Sequence, residues 1–273
     1  MTDLPQGIHV SGKGPTVILL HSSLSSSKQW VTLVQDLKND FTVINVDILG
    51  YGSVGDAETL KSLEDYRASF EMERIQQVLQ YLHIEEEPYH IVGHSFGGAL
   101  GLKLAVEAPE KVLSLSLYEP VAFHLIEENT EAKDILTDLF KRVSVADLFI
   151  AAEEFMDYWN MKGFFKSLPA RVQQGAAQEM KKVNLDSIAL ISETYGSNEI
   201  NKIKAPAMIM TGSHSPMLSK VLAEIIINAL DNVTQEVFEA GHMGVISHAP
   251  IVQPKIAEFI KEHHTASYTK LIN

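Results

Sequence analysis

The sequence predicts an α/β protein with a mostly parallel, twisted sheet, helices on both of its faces, and an inserted helical segment. Three observations support this fold class. Short, fully apolar runs alternate with helical periodicity up to residue 120, the alternation returns after residue 205, and only helical patterns lie between. Strands buried on both faces of a parallel sheet are continuously apolar, as these runs are. With 273 residues and 45% hydrophobic content, the chain can bury one substantial core.

The first part of the chain alternates between predicted strands and predicted helices. Apolar runs of strand length predict strands at residues 16–20, 41–46, 90–92 and 112–117. Apolar residues at helical spacing predict helices at residues 30–37, 66–82 and 99–108, the last of which ends before Pro109. A glycine-rich loop follows the second strand, from Asp47 to Gly55. This alternation predicts a parallel sheet with crossover helices.

The second part contains a helical block and then a return to the strand–helix series. Residues 123–199 have amphipathic helical patterns and no strand pattern. Strands are predicted at 205–210 and 234–238, and helices at 218–230 and 251–260. We therefore predict that residues 1–121 and 202–273 form one core, and that residues 122–201, here called the inserted segment, form a helical insertion. The polar tail from His263 is expected to be loosely held.

Composition excludes several classes of function. The chain has 22 basic and 35 acidic residues, a formal net charge of −13, which argues against a nucleic-acid partner. It has no cysteine, and therefore no disulfide, thiolate nucleophile or cysteine-bound metal. The N-terminus lacks a basic region followed by an apolar one, and the apolar run at residues 17–20 is too short to span a bilayer. We expect a soluble, cytoplasmic protein without a membrane partner.

The strongest motif is Gly-His-Ser-Phe-Gly at residues 93–97, followed by Gly98. A serine needs exposure, orientation and a base to act as a nucleophile. A sharp turn between a strand and a helix exposes it, and flanking glycines let the backbone pass close by. An apolar strand precedes the motif and a predicted helix follows it, so Ser95 is the candidate nucleophile. The alternative is a tight turn with an incidental serine.

His242 is the candidate general base among eleven histidines. It follows the last predicted strand, with Gly241 before it, and a loop at the carboxyl edge of the sheet can reach the serine. His94 lies inside the motif and is expected to point away from the nucleophile. His214 and His248 are expected on the surface or at helix starts. The tail histidines at 263–264 do not suggest a metal site.

A developing oxyanion needs hydrogen-bond donors. In this arrangement of strand, serine and helix, one donor is the backbone N–H of Phe96 and another comes from the loop after the first long strand. That loop is His-Ser-Ser at residues 21–23, which predicts Ser23 as the second donor and Ser22 as part of the substrate pocket. The alternative is a serine-rich solvent loop.

The chain resembles the α/β-hydrolase superfamily over nearly its full length. Residues 21–23 stand where that superfamily has a His-Gly-X oxyanion loop, and residues 47–53 resemble its Asp-x-x-Gly-x-Gly loop. The serine motif at residues 93–97 and the Gly-His at residues 241–242 follow in the order that these motifs have in that superfamily. The resemblance implies that the inserted segment is a helical cap over the active site, and that the chain order is nucleophile, acid, histidine.

The sequence departs from this pattern at the acid. Most members place an aspartate after the strand that follows the cap, but Ser215 occupies that place, and no Asp or Glu lies between residues 203 and 223. Some haloalkane dehalogenases carry the acid as a glutamate at the end of the strand before the cap, where this chain has Glu119. The resemblance therefore implies Glu119 as the triad acid. The alternatives are that Glu119 only anchors loops, and that Asp47 is the acid.

The resemblance further implies a serine hydrolase that cleaves small to medium carboxylic esters through an acyl-serine, without metal or organic cofactor. Dehalogenases use an aspartate at the position of Ser95, so their chemistry is not expected. Hydrolysis of C–C, lactone or amide bonds and perhydrolysis use the same triad and stay open. A ligand-binding or signalling protein with little turnover is the alternative of another class.

Trp159 and Phe123 are predicted pocket walls, although aromatic residues also pack helices together. The natural substrate and the oligomeric state are left open.

Overall fold

The computed structural model describes residues 4–55 and 65–272, with side chains as far as residue 264. Within these ranges the strands form one seven-stranded sheet in the order β1-β3-β2-β4-β5-β6-β7. Strand β1 is antiparallel to β3, and the other neighbouring pairs are parallel. The strands are β1 (Ile8–Ser11), β2 (Thr16–Leu20), β3 (Thr42–Val46), β4 (Tyr89–His94), β5 (Val112–Tyr118), β6 (Ala207–Gly212) and β7 (Val233–Phe238). The predicted fold class is confirmed.

Helices cover both faces of the sheet. Outside the inserted segment they are α1 (Val31–Leu37), α2 (Ala68–Leu82), α3 (Phe96–Glu107), α9 (Met217–Ala229), α10 (Gly244–Ser247) and α11 (Ala249–Ile272). Successive residues of β2 point to opposite faces. Val17 and Leu19 pack into a core with residues of α1 and α11, whereas Ile18 and Leu20 pack into a core with residues of α2, α3 and α9. This two-sided burial explains why β2 is apolar at four successive positions.

Five helices lie between β5 and β6. They are α4 (Glu131–Val143), α5 (Leu148–Trp159), α6 (Phe164–Ser167), α7 (Ala170–Ile191) and α8 (Ser197–Ile200). Helix α4 buries Leu136, Leu139 and Val143 in the same core as α2 and α3, and α7 contributes Met180 and Val183. All five helices fall within the predicted insertion, and its boundaries at residues 122 and 201 stay a prediction.

Two local features differ from the sequence prediction. Strand β1 was not predicted because it has four residues, of which only Ile8 is buried, and its place is fixed by antiparallel pairing of Ile8 with Val46. The last helix was predicted to end at residue 260 but continues to Ile272. The sequence has no glycine or proline after Pro254, so it contains no helix-breaking residue that would end the helix earlier. No helix in the described ranges combines the length and apolar character needed to cross a bilayer.

Candidate active site

Ser95 stands at the sharp turn between β4 and α3. Its backbone is in an unusual conformation, with φ 54° and ψ −117°, at a cost of about 1–3 kcal/mol that the surrounding structure must offset. Gly93 and Gly97 allow this turn. A Cβ on Gly93 would clash with the carbonyl of Gly97, and a Cβ on Gly97 would clash with the carbonyls of Leu20 and His21. The glycines therefore bring the start of α3 against the carboxyl end of β2.

Glu119 follows the end of β5, the strand next to β4. His94 pairs with Tyr118 in the parallel register, and the N–H of Ser95 donates to the Tyr118 carbonyl at 3.0 Å. The N–H of Glu119 donates to the Met210 carbonyl at 2.9 Å, which ties the residue to β6. Its φ of 45° lies in the left-handed region that favours glycine. The carboxyl ends of adjacent strands thus place Ser95 and Glu119 side by side.

His242 lies in the loop between β7 and α10, and side chains of β4 and β5 hold this loop. The Tyr118 hydroxyl donates to the Gly241 carbonyl at 2.8 Å. One ring nitrogen of His94 is 2.9 Å from the His242 carbonyl and the other is 3.2 Å from Oε1 of Gln29. His94 therefore braces the backbone of the candidate base, and no hydrogen bond joins its ring to the Ser95 hydroxyl in the described structure.

The three candidate residues form one chain of contacts. His242 Nε2 is 2.9 Å from Ser95 Oγ, and His242 Nδ1 is 2.6 Å from Glu119 Oε2. All three side chains are buried. The chemistry of the partners selects the tautomer in which Nδ1–H donates to the carboxylate and Nε2 accepts from the serine hydroxyl. Such an arrangement can move the serine proton onto the imidazole.

The second oxygen of the Glu119 carboxylate is also bonded. Oε1 accepts from the N–H of Gly212 at 2.7 Å and from the Ser215 hydroxyl, while the Ser219 hydroxyl lies 3.3 Å from His242 Nδ1. Burial on its own would raise the pKa of Glu119. Hydrogen bonds and charge from His242, together with the serine hydroxyls, outweigh burial and hold that pKa below its usual range. Glu119 is therefore an anion suited to orient and stabilise an imidazolium.

Asp47, the alternative acid, is engaged elsewhere. Its carboxylate accepts from the N–H of Ser27 at 2.7 Å and from the N–H and hydroxyl of Ser53 at 2.9 and 2.8 Å. Burial acts to raise the pKa of Asp47, but these donors outweigh it and lower the pKa well below its usual range. Among the described contacts none joins Asp47 to His242. The structure therefore brings Glu119, and not Asp47, to the imidazole.

The two residues predicted to supply oxyanion donors lie beside Ser95. Phe96 is the first residue of α3, so its N–H has no acceptor within the helix and is available to a ligand. Ser23 follows the carboxyl end of β2, and its hydroxyl donates to Asp186 Oδ2 at 2.7 Å. Ser22 instead turns toward Gln29, whose Oε1 lies 3.1 Å from its hydroxyl and 3.3 Å from its N–H.

A cavity of about 650 Å³ opens onto Ser95 and His242. Its wall is largely apolar where the inserted segment forms it, and the Trp159 ring lies 4.4 Å from the His242 ring, centroid to centroid. Phe123 was predicted to line this cavity but lies behind Trp159, stacked at 6.3 Å. The lining includes Ser22, Ser23, Leu24, Phe155, Met156, Trp159, Asn160, Met161, Phe164, His214, Glu239 and Ile246.

The remaining polar side chains at the cavity include an exposed pair and the half-buried His248. His214 Nε2 is 2.7 Å from Glu239 Oε1, and both side chains are more than half exposed. His248 also lines the cavity and lies 2.9 Å from the Ser247 hydroxyl. Within residues 4–55 and 65–264, no group of three or more His, Cys, Asp or Glu side chains is placed to hold a metal ion.

Fold and site together define a hydrolase scaffold, and comparison with known proteins identifies the family. The family model of the alpha/beta hydrolase fold matches residues 15–249, and the chain belongs to this family. It is similar to monoacylglycerol lipase ABHD6 of Rattus norvegicus, with 23% identity over 96% of this chain and 80% of that protein.

Two solved structures share the fold. One is the enol-lactonase from Burkholderia xenovorans, with a TM-score of 0.71 and 17% identity over 93% of this chain and 95% of that chain. The other is the esterase EaEST from Exiguobacterium antarcticum, with a TM-score of 0.71 and 21% identity over 93% of this chain and 94% of that chain.

Some residues at the site were not identified from the sequence. Ser215 was noted only as the residue in the place of an aspartate, and Ser219, Gln29 and Tyr118 were not noted at all. Each acts through a tertiary contact with the triad or with the loops that carry it. No local sequence pattern predicts such a contact for a serine, a glutamine or a tyrosine, so these residues could not be identified before the structure was known.

Proposed function

We propose that the protein is a serine hydrolase that cleaves small to medium carboxylic esters through an acyl-Ser95 intermediate. The observation that carries this proposal is the chain of contacts from Ser95 Oγ through His242 to Glu119, which opens onto a largely apolar cavity. The family assignment and the similarity to a lipase and an esterase support the same class of reaction. Apart from the ester and water, the proposed chemistry uses only groups of the chain itself.

In acylation, Ser95 Oγ attacks the carbonyl carbon of the ester while its proton moves to His242 Nε2. The carbonyl π electrons move to oxygen, and the N–H groups of Phe96 and Ser23 stabilise the resulting oxyanion. Glu119 stabilises the imidazolium through Nδ1–H. The tetrahedral intermediate then collapses, the bond to the alcohol oxygen breaks, and that oxygen leaves with the proton from Nε2.

In deacylation, a water molecule donates a proton to Nε2 and its oxygen attacks the acyl carbon of the Ser95 ester. Collapse of the second tetrahedral intermediate returns the proton to Ser95 Oγ and releases the carboxylic acid. One ester and one water are consumed, and one alcohol and one acid are formed.

The cavity supports a largely neutral, apolar substrate. Its volume of about 650 Å³ suits a small or medium ester, and the Phe155, Trp159 and Phe164 rings provide apolar wall. The formal net charge of −13 disfavours polyanionic substrates. The cytoplasmic location expected from the sequence stays a prediction.

The proposal is tested with p-nitrophenyl acetate and butyrate. We expect turnover by the wild-type protein and its loss in Ser95→Ala, with the same circular dichroism spectrum and melting temperature in both. An ester, lactone and amide panel then identifies the preferred bond. Absence of turnover across the panel, together with tight binding of a ligand in the cavity, would instead indicate a binding protein on a hydrolase scaffold.

A further inference from the structure

An ion pair on helix α7 is buried beneath the loop that carries Ser23. Lys182 and Asp186 are one helical turn apart, their side chains form an ion pair, and both are almost inaccessible to solvent. Lysine and aspartate four residues apart on a helix ordinarily form an exposed pair of little energetic value. Burying both charges costs desolvation free energy unless further hydrogen bonds offset it. The other contacts of this pair therefore indicate its role.

The Lys182 ammonium lies among three aromatic rings of the core. Nζ is 4.0 Å from the centroid of Tyr66, 4.8 Å from that of Tyr51 and 5.1 Å from that of Phe96, distances at which cations are attracted to ring faces. Gly50 leaves room for the lysine stem, since a Cβ there would lie 2.8 Å from the Lys182 side-chain carbons. The core thus contains a slot that matches this lysine.

The Asp186 carboxylate spans the inserted segment and the core. Oδ2 accepts from the Ser23 hydroxyl at 2.7 Å and from the Tyr51 hydroxyl at 2.5 Å, and Oδ1 pairs with Lys182. Burial raises the pKa of Asp186, while Lys182 and the two hydroxyl donors act in the opposite direction. The Ser23 backbone is therefore tied to α7 through a side chain with no access to bulk water.

The Lys182–Asp186 pair contacts both of the residues that are proposed to supply oxyanion donors. Asp186 bonds to Ser23, and Lys182 packs over the ring of Phe96. Neither Lys182 nor Asp186 lines the cavity, so neither touches the substrate. We propose that Lys182 and Asp186 are positioning residues through which the inserted helix α7 fixes the geometry of the oxyanion hole. This inference rests on the proposed function and adds the inserted segment to the machinery of that site.

The test uses Ser23→Ala, which removes the donor of the Ser23–Asp186 hydrogen bond, and Asp186→Asn, which removes the negative charge and one of the two oxygens that hold Ser23, Tyr51 and Lys182. With p-nitrophenyl butyrate we expect each variant to lower kcat about tenfold or more with KM within about twofold, because a misplaced oxyanion donor weakens transition-state binding. Inhibition by an arylboronic acid, which forms a tetrahedral adduct with a nucleophilic serine, should weaken by a similar factor. The double variant should be no worse than the worse single variant, since both act through one contact.

The matched control is Glu193→Gln. Glu193 accepts from Lys103 of α3 at 2.8 Å, so this pair also ties the chain after α7 to the core, at a place away from the Ser23 loop. We expect Glu193→Gln to keep kcat within about twofold of wild type, because no oxyanion residue is bonded to it. If Asp186→Asn does not fold, Ser23→Ala alone decides.

Wild-type kcat in Ser23→Ala or in folded Asp186→Asn would overturn the proposal. An equal loss of kcat in Glu193→Gln would also overturn it, since general anchoring of the inserted segment would then explain the data. Failure of the proposed function looks different, because wild-type protein would then neither turn over the ester nor bind the boronic acid.

Discussion

The Ser215 hydroxyl donates a hydrogen bond to Oε1 of Glu119, the carboxylate whose Oε2 lies 2.6 Å from His242. Ser215 stands in the loop after β6, where the resemblance to other α/β hydrolases places an aspartate. In the proposed triad the acid therefore stands at the end of the neighbouring strand β5, and the serine in the usual place of the aspartate donates to one oxygen of its carboxylate. The carboxylate still reaches the imidazole because β5 lies between β4 and β6 in the sheet.

We predict that Glu119→Gln lowers kcat for p-nitrophenyl butyrate by about 10⁴-fold, the size of effect known for loss of a triad acid. The amide keeps the shape of the side chain but cannot stabilise the imidazolium, and it can favour the wrong tautomer of His242. Steady-state kinetics measure the loss, and a melting temperature near that of wild type shows that the fold is kept.

Asp47→Asn is the control for this assignment. Because the Asp47 carboxylate bonds only to Ser27, Ser53 and His9 among its described contacts, we expect a lower melting temperature with kcat within about tenfold of wild type. An inactive Asp47→Asn beside an active Glu119→Gln would reverse the assignment of the acid.

Ser215→Ala is predicted to have a smaller effect than loss of the acid. The variant removes one donor to Oε1, but the Gly212 N–H at 2.7 Å remains, so we expect kcat to fall about tenfold, as for one lost charge-assisted hydrogen bond. Ser213→Ala is the matched control. The Ser213 hydroxyl faces the exposed Glu239 at 3.3 Å, so its loss should leave kcat unchanged. Equal kcat in the two variants would show that the Ser215 contact is not functional.

Three buried histidines predict that the protein loses stability at mildly acidic pH. Burial lowers the pKa of His21 to about 4 and the pKa of His90 and of His94 to about 3. Between about pH 6.5 and pH 4 these histidines bind protons in the unfolded chain but not in the folded protein. The free energy of unfolding therefore decreases as pH is lowered, by up to about 1.4 kcal/mol per pH unit for each histidine.

Glu179 has the opposite effect on the pH dependence of stability, because its carboxyl binds a proton in the folded protein at a pH where the unfolded chain does not. Burial raises its pKa to about 7, so its contribution to stability is present at low pH and is lost as pH rises from about 4.5 through 7. The net expectation is a slope that rises from below one proton at pH 6.5 to about two protons at pH 5, measured by urea unfolding at pH 5, 5.5, 6 and 6.5. Glu179→Gln should steepen the slope. An unfolding free energy that does not change across this range would contradict the prediction.

Trp159 is predicted to shape both the cavity and the position of the base. Its ring contacts His242 and lines the cavity, so Trp159→Ala should lower kcat/KM for p-nitrophenyl acetate about tenfold or more, because the imidazole loses its packing partner. Because the variant has a larger cavity, kcat/KM should fall less for p-nitrophenyl octanoate than for the acetate. Trp159→Phe keeps an aromatic wall and should retain most of the activity. Equal losses with both esters would mean that Trp159 has no part in selecting the acyl chain.

The fold and the candidate nucleophile were predictable because their signals are local. An apolar strand, the residues at 93–97 and a following helix lie within one stretch of chain, and backbone geometry alone demands glycine at positions 93 and 97. The contacts of Glu119, Asp186 and Trp159 were less accessible, because each joins elements far apart in the sequence. Lys182 and Asp186 in particular have the spacing of an ordinary exposed pair, and only the packing of α7 against Tyr51 and Tyr66 buries them.

Covalent labelling by a fluorophosphonate distinguishes Ser95 from every other serine as the nucleophile. Peptide mass spectrometry of the labelled wild-type protein should find one adduct per chain, on Ser95, formed slowly in His242→Ala and absent in Ser95→Ala. An adduct on another serine, or hydrolysis of p-nitrophenyl butyrate by Ser95→Ala at the wild-type rate, would contradict the account.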